Sequence, residues 1–251
     1  MATSIIVDSV TKTFTLRHAR SLRELTVRMA RRQSLSERFC AVEDVSFTVE
    51  EGETLALMGL NGSGKSTLLK MISGVLLPDR GSVRVRGRVA GLIDVGAGLH
   101  PELTGRENIF LNAAILGMTE AETRRKFDAI VEFAGVGRFL DSQVKFYSSG
   151  MFMRLGFSIA AHTEPDVFLI DEALAVGDPP FRQRCLARIR ELRDQGMTMV
   201  IVAHDIKLLT ELCSRGIMMR RGRLVFDGDV AVAGEMWRED RRAKARAARS
   251  S

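Results

Sequence analysis

The chain has 251 residues, with 37 Lys+Arg against 31 Asp+Glu and a formal net charge of +6. At roughly 150 residues per domain, that is one large domain or a domain with a lobe. Its 45% apolar and 27% charged content excludes a disordered chain, and apolar runs such as 198–203 fall far short of the ~18 residues of a membrane span. Three widely spaced cysteines (Cys40, Cys185, Cys213) exclude a disulfide scaffold and a four-cysteine zinc site and suit a reducing cytosol. The start, MATSIIVD, lacks the charged segment of a secretory signal.

Residues 4–14 and 41–50 are β-branched and alternating, and read as antiparallel strands. Between them lies a basic insert, 17–38, with seven Arg and two Glu. Its Leu22, Leu25 and Met29 make a short helical stripe. Three readings stand open: an amphipathic helix on an anionic membrane surface, a nucleic-acid contact, or a helix packed on its own domain. Residues 53–58 (ETLALM) are apolar without alternation, as in a buried strand. Gly59 to Gly64 break that run, and a helix is expected over 65–73 with Gly74 as its stop. A turn at 78–81 leads into strand-like 83–95.

The pattern then turns helical. Thr104 with Glu107, and Thr119 with Glu122, are capping boxes opening helices to about Gly117 and Gly135. A third helix runs from Ser149 to about His162, so 99–163 read as a helical insertion in an α/β frame. The frame resumes with strand 167–171, helix 180–195, strand 197–203, helix 205–213 and a hairpin around Arg221-Gly222. The segment 238–251 has six Lys/Arg and two acids, and 241–251 read as a disordered, solvated tail. With both basic segments set aside, the body is mildly acidic. The fold class expected is α/β, with a mixed core sheet, an antiparallel β edge and a helical subdomain.

Residues 59–66, Gly-Leu-Asn-Gly-Ser-Gly-Lys-Ser, fit the phosphate-loop pattern GxxxxGK[ST] between a strand and a helix. The glycines let backbone N–H groups curl around phosphate oxygens, and the helix N-terminus adds positive potential. Gly59, Asn61, Gly62, Ser63 and Gly64 form the loop. Lys65 is expected to bridge the β- and γ-phosphates, Ser66 to ligate Mg²⁺ and Thr67 to bind the α-phosphate. The apolar strand 167–170 ends in Asp171-Glu172: adjacent carboxylates point differently, so one can reach a metal and the other can polarise a water. His204 ends another apolar strand, where it can meet a γ-phosphate.

Tyr147-Ser148-Ser149-Gly150-Met151, followed by Arg154, is a Ser/Gly turn opening a helix. Here the chain resembles the ATP-binding cassette (ABC) family. Ser148 to Gly150 match its signature, 83 residues after Lys65, with Asp171 a further 23 on and His204 another 33 on. The resemblance covers roughly residues 4–235 and implies an ATPase domain over about 1–240. It implies that two cassettes stack head to tail, the signature of one closing on ATP held by the other. It makes Asp171 a Mg²⁺ ligand, Glu172 the general base and His204 a switch histidine. It sets Asp178 in the loop that crosses the dimer interface, and Phe14 on the adenine ring, which a phenyl face can stack.

YSSGMxxRLGF, DEALAVGD, Phe181, Cys185 and residues 96–108 (GAGLHPELTGREN) narrow the likeness to ATPase subunits of polysaccharide and teichoic-acid exporters, as does the basic insert. The signature departs from the family's usual LSGGQ at Ser149 and Met151. Where the family has a glutamine coupling the metal site to the membrane partner, this chain has residues 93–96, with Asp94 nearby. A C-terminal glycan-recognition domain of the kind some such exporters carry is not expected. The partners implied are a second copy of the chain and two copies of a polytopic permease, at the cytoplasmic face of the membrane. The competing function is a soluble ABC ATPase acting on nucleic acid or ribosomes; those usually carry two cassettes or a long coiled coil. A P-loop kinase or GTPase is opposed by the signature turn and the absence of NKxD.

Overall fold

The computed structural model of the protein describes residues 2–17, 36–92, 98–171 and 178–249. Residues 18–35 of the basic insert, Asp94 and Glu172 lie outside them. Two sheets form the frame. The first is antiparallel, in the order β2-β1-β4, from β1 (Thr3–Arg17), β2 (Ser36–Glu50) and β4 (Arg80–Val85). Ile5 and Val7 of β1, and Val45, Phe47 and Val49 of β2, turn the alternating apolar face inward. The β1–β2 ladder runs past the expected ends, pairing Phe14 with Phe39 and Arg17 with Ser36.

The second sheet comprises β3 (Thr54–Gly59), β5 (Val89–Gly91), β6 (Val167–Ile170), β7 (Thr198–Ile201), β8 (Arg215–Arg220) and β9 (Arg223–Asp229). Its order is β5-β6-β7-β3-β8-β9, parallel except for β9. β3, β6 and β7 are buried throughout, as their unbroken apolar sequence requires. The run 83–95, expected as one strand-like stretch, divides between the sheets. Gly87, at φ +83°, makes the change; a Cβ there would fall 2.2 Å from an Asp166 carboxylate oxygen, and that oxygen accepts the Arg88 N–H at 2.6 Å.

Helix α1 (Lys65–Ile72) follows β3. Helices α2 (Gly105–Ile115), α3 (Glu120–Ala134) and α4 (Ser149–Ala160) gather around Ile109, Ile130, Leu155 and Ile159 as a separate apolar core. Both expected capping boxes form, Thr104 with Glu107 and Thr119 with Glu122, each bonding reciprocally. Helices α5 (Pro179–Asp194) and α6 (Ile206–Leu212) flank the parallel sheet. Among the described residues no helix is long and apolar enough to cross a membrane.

A last helix, α7, runs Val230–Arg249. Its buried stripe is Val230, Ala233 and Trp237, at helical spacing. Residues 241–249, expected as a disordered tail, are helical. The Ala, Arg and Lys that fill this stretch are strong helix formers, and the docked first turns provide the nucleus.

Cys185 and Cys213 are buried, and burial pushes both thiols up to about 12. An unfolded thiol ionises near ~8.5. Their contribution to stability is therefore complete below that pH and is lost as pH rises toward 12. We expect a thiol reagent at pH 8 to label Cys40 alone in the native chain and all three cysteines after denaturation. Equal native rates at the three would refute this packing.

Candidate functional site

The site is built at the C-terminal ends of three neighbouring strands, β6, β7 and β3, which carry Asp171, His204 and the loop beginning at Gly59. The Val202 N–H donates to the Ile170 carbonyl at 2.7 Å, keeping the β6 and β7 ends level just before Asp171 and His204. Ligands of open α/β sheets bind at this edge.

The loop's glycines are fixed by space and by backbone angle. Gly59 (φ +147°) has no room for a Cβ, which would lie 2.4 Å from Ser63 Oγ. Gly64 (φ +104°) would place one 2.3 Å from the Ala41 carbonyl of β2. Gly62 (φ +85°) faces open space, with nothing within 4 Å. Lys65 is buried, and its Nζ donates to the carbonyls of Gly59 at 2.9 Å and Leu60 at 3.3 Å. Ser63 Oγ is buried and has no hydrogen-bond partner among the described residues. A curled loop, a hydroxyl awaiting a partner and an ammonium seated among the turn's carbonyls suit a polyphosphate. Ser66 and Thr67 follow on the first turn of α1; Ser66 is exposed and Thr67 half-buried.

The tip of the β8–β9 hairpin braces this loop. Gly222 N–H donates to the Ser63 carbonyl at 3.0 Å, and Gly222's own carbonyl accepts from Glu43 N–H at 2.8 Å. An ion pair between Arg223 and Glu43 lies alongside. The sequence signalled a hairpin there but not its partner, because the bond is long-range.

Phe14 is 38% exposed, and its cross-strand partner Phe39 is 48% exposed. Directly paired residues share a face of the sheet. Phe39 stands two residues before Ala41, about 7 Å along the strand, and Ala41 is the residue that Gly64 touches. The structure therefore adds a second aromatic beside Phe14. Reading it from sequence would have needed the hairpin register.

Ser148 caps α4 by accepting the Met151 N–H at 3.2 Å, and Ser148 and Ser149 are exposed. Gly150 has ample room: a Cβ added there would find Ser148 Oγ no closer than 3.9 Å. Phe157 and Ala160, at the other end of α4, pack into the sheet's core. The helix has 12 residues, so the signature turn stands about 18 Å along the axis from that end. Asp178 opens α5 and forms an ion pair with Arg154 of α4 at 2.8 Å. Arg154 also lies over the Phe181 ring, 5.5 Å from its centroid. Asp178 is thus tied to the signature helix.

The ABC transporter family matches residues 42–175, more than half of the chain. RfbB of Klebsiella pneumoniae, an O-antigen export system ATP-binding protein, is 41% identical over 236 residues, covering 92% of this chain and 96% of that protein. The ABC transporter protein AbcA of Aeromonas salmonicida is 49% identical over 191 residues, 76% of this chain and 62% of AbcA. TagH of Levilactobacillus brevis, a teichoic acids export ATP-binding protein, is 47% identical over 201 residues, 80% of this chain and 55% of TagH. The chain thus spans nearly all of RfbB but less than two thirds of the other two. Among solved structures, an ATP-binding subunit of an ABC transporter aligns with a TM-score of 0.71 at 26% identity over 90% of both chains. The matched segment carries the phosphate loop, the signature turn and Asp171, and the chain belongs to the ABC transporter family, as one of its ATP-hydrolysing cassettes.

Proposed function

We propose that this cassette powers the export of a lipid-linked polysaccharide, of O-antigen, galactan, capsule or teichoic-acid type. It works as a homodimer at the cytoplasmic face of the membrane, beneath two copies of a separate polytopic permease. The observation that carries this reading is the phosphate loop, Asp171 and His204 on one sheet edge in a chain whose relatives RfbB and TagH are named for O-antigen and teichoic acid export. None of the three relatives described is named for nucleic acid.

In this reading the loop from Gly59 to Gly64 wraps the β-phosphate with its N–H groups. Lys65 exchanges its carbonyl partners for phosphate oxygens, and Thr67 meets the α-phosphate. Phe14 stacks on the adenine, with Phe39 beside it. Ser66 and Asp171 hold Mg²⁺, which when bound neutralises phosphate charge. Glu172 takes the proton of the attacking water, and His204 holds the γ-phosphate end. The signature Ser148, Ser149 and Gly150, at the outer end of α4, meet the nucleotide of the other subunit. The Arg154–Asp178 pair holds the crossing loop and the signature as one unit.

The test is made in cells that carry the chain. Without it, or with a hydrolysis-dead variant in its place, lipid-linked glycan should accumulate inside and the surface glycan should disappear. Unchanged surface glycan would refute export.

The basic insert is proposed to lie against the anionic membrane surface beside the permease. Each cation near such a leaflet contributes about 1 kcal/mol, weakened by salt. Replacing Arg23, Arg28, Arg31 and Arg32 by Gln should spare ATPase activity but weaken salt-sensitive binding to anionic liposomes. Unaltered binding would make the segment a solvated face, and lost RNA or DNA affinity would make it a nucleic-acid contact.

A further inference from the structure

Helix α7 does not stop where its apolar stripe stops. The buried residues Val230, Ala233 and Trp237 dock the first turns on the sheet and α6. The same face then continues through Arg241, Lys244 and Ala248, at spacings of four, three and four residues. That face looks onto the nucleotide edge. A depression of about 520 Å³ is lined by Leu60, Asn61, His204, Trp237, Arg241 and Lys244 among others. On the other flank of the helix, a second depression of about 860 Å³ brings Lys244 together with Asn61, Gly62 and Ser63. Lys244 therefore borders the outer turn of the phosphate loop from both sides. Arg241 borders His204.

Arg241 is held there. Its guanidinium lies 4.8 Å from the centroid of the Trp237 ring, and that indole lies 6.2 Å from the His204 imidazole. Arginine, indole and imidazole thus form a column from the exposed arm to the end of β7. Asp240, the neighbouring acid, is engaged by Arg220 at 2.7 Å. Residues 241–249 contain four Arg, one Lys and no acid. Like charges recur at three-residue spacing, Arg241 with Lys244, an arrangement that weakens a helix. Such an arm gains from a multivalent anion at its base, and that base is the phosphate loop.

We propose that Arg241 and Lys244 are a second set of cationic contacts to the terminal phosphate of ATP, adding to Lys65 from outside the loop. The proposal rests on ATP binding at the loop, as set out above. A terminal phosphate at the loop's outer turn would lie beside Asn61, Gly62 and Ser63, where the arm borders the loop, and the charge lost on going to ADP is the charge the arm faces. The arm then favours the triphosphate over the diphosphate, and the Trp237 column carries the difference to His204.

The test compares wild type with Arg241→Gln/Lys244→Gln, a change that keeps side-chain length and helix propensity. Affinities for ATP and for ADP, each with Mg²⁺, are measured by calorimetry at two salt concentrations. The double variant should bind ATP about tenfold more weakly and ADP less than about twofold more weakly, with a flatter salt dependence for ATP. Arg241→Lys/Lys244→Arg should keep the wild-type preference for ATP. Trp237 is the single tryptophan of the chain, so in wild type ATP should change tryptophan emission more than ADP does. Equal weakening toward both nucleotides, or none, would overturn the proposal. Tighter ATP binding would also overturn it and make the arm a cover over the loop. A wild type that binds no ATP would sink the function proposed above together with this inference, whereas a normal wild type with an unaltered double variant would sink the inference alone.

Discussion

Replacing Lys65 by Ala is expected to weaken ATP binding by roughly 30-fold or more while leaving the fold intact. Lys65 is buried, and its ammonium donates to the Gly59 and Leu60 carbonyls. The substitution removes both the loop's internal brace and its centred positive charge. Truncating one partner of a buried charged contact costs about 2–5 kcal/mol, which is a loss of roughly 30-fold to several thousand-fold in affinity. Calorimetric titration decides it, with circular dichroism confirming the fold. Unchanged affinity would remove the phosphate-loop assignment. Gly64→Ala makes an instructive contrast, because its added methyl would meet the Ala41 carbonyl at 2.3 Å. It should damage the loop's geometry while leaving its charge in place.

The second large effect is expected from Glu172→Gln. The amide keeps the shape of the carboxylate and cannot accept a proton. Hydrolysis should slow by roughly 10²–10⁴ while ATP binding persists. With binding uncoupled from turnover, the protein should accumulate as an ATP-bound dimer, seen as an earlier-eluting species in size-exclusion chromatography. Near-normal turnover would move the proton acceptor elsewhere, with His204 the next residue to test.

What could be read from the sequence was what is fixed locally. The phosphate loop was legible because glycines at Gly59 and Gly64 answer a steric demand visible in the residue pattern. The helix starts at Thr104 and Thr119 were legible because a capping box closes within four residues. Buried strands β3, β6 and β7 announced themselves by unbroken apolar sequence. The features missed all depend on distant partners. Phe39 stands beside Phe14 only through a register that passes several irregularities. Arg154 and Asp178 lie on different helices, and Gly222 reaches Ser63 across the fold. The second half of α7 looked like a solvated tail because its composition is polar. Its order follows from Trp237 docking in the core, a tertiary fact that local charge conceals.

The hairpin tip at Gly222 has a mechanical consequence. It bonds at once to Ser63, on the phosphate loop, and to Glu43, on the antiparallel sheet that carries Phe14 and Phe39. It is therefore a rivet through two plates. Any pivoting of the antiparallel sheet against the parallel one must strain this joint or drag the Ser63 carbonyl with it. In the proposed binding mode, grip on the base and grip on the phosphates are thereby geared together. A change that tilts the aromatic platform will be felt as a change in loop shape, so in that mode the two ends of the nucleotide are not recognised independently.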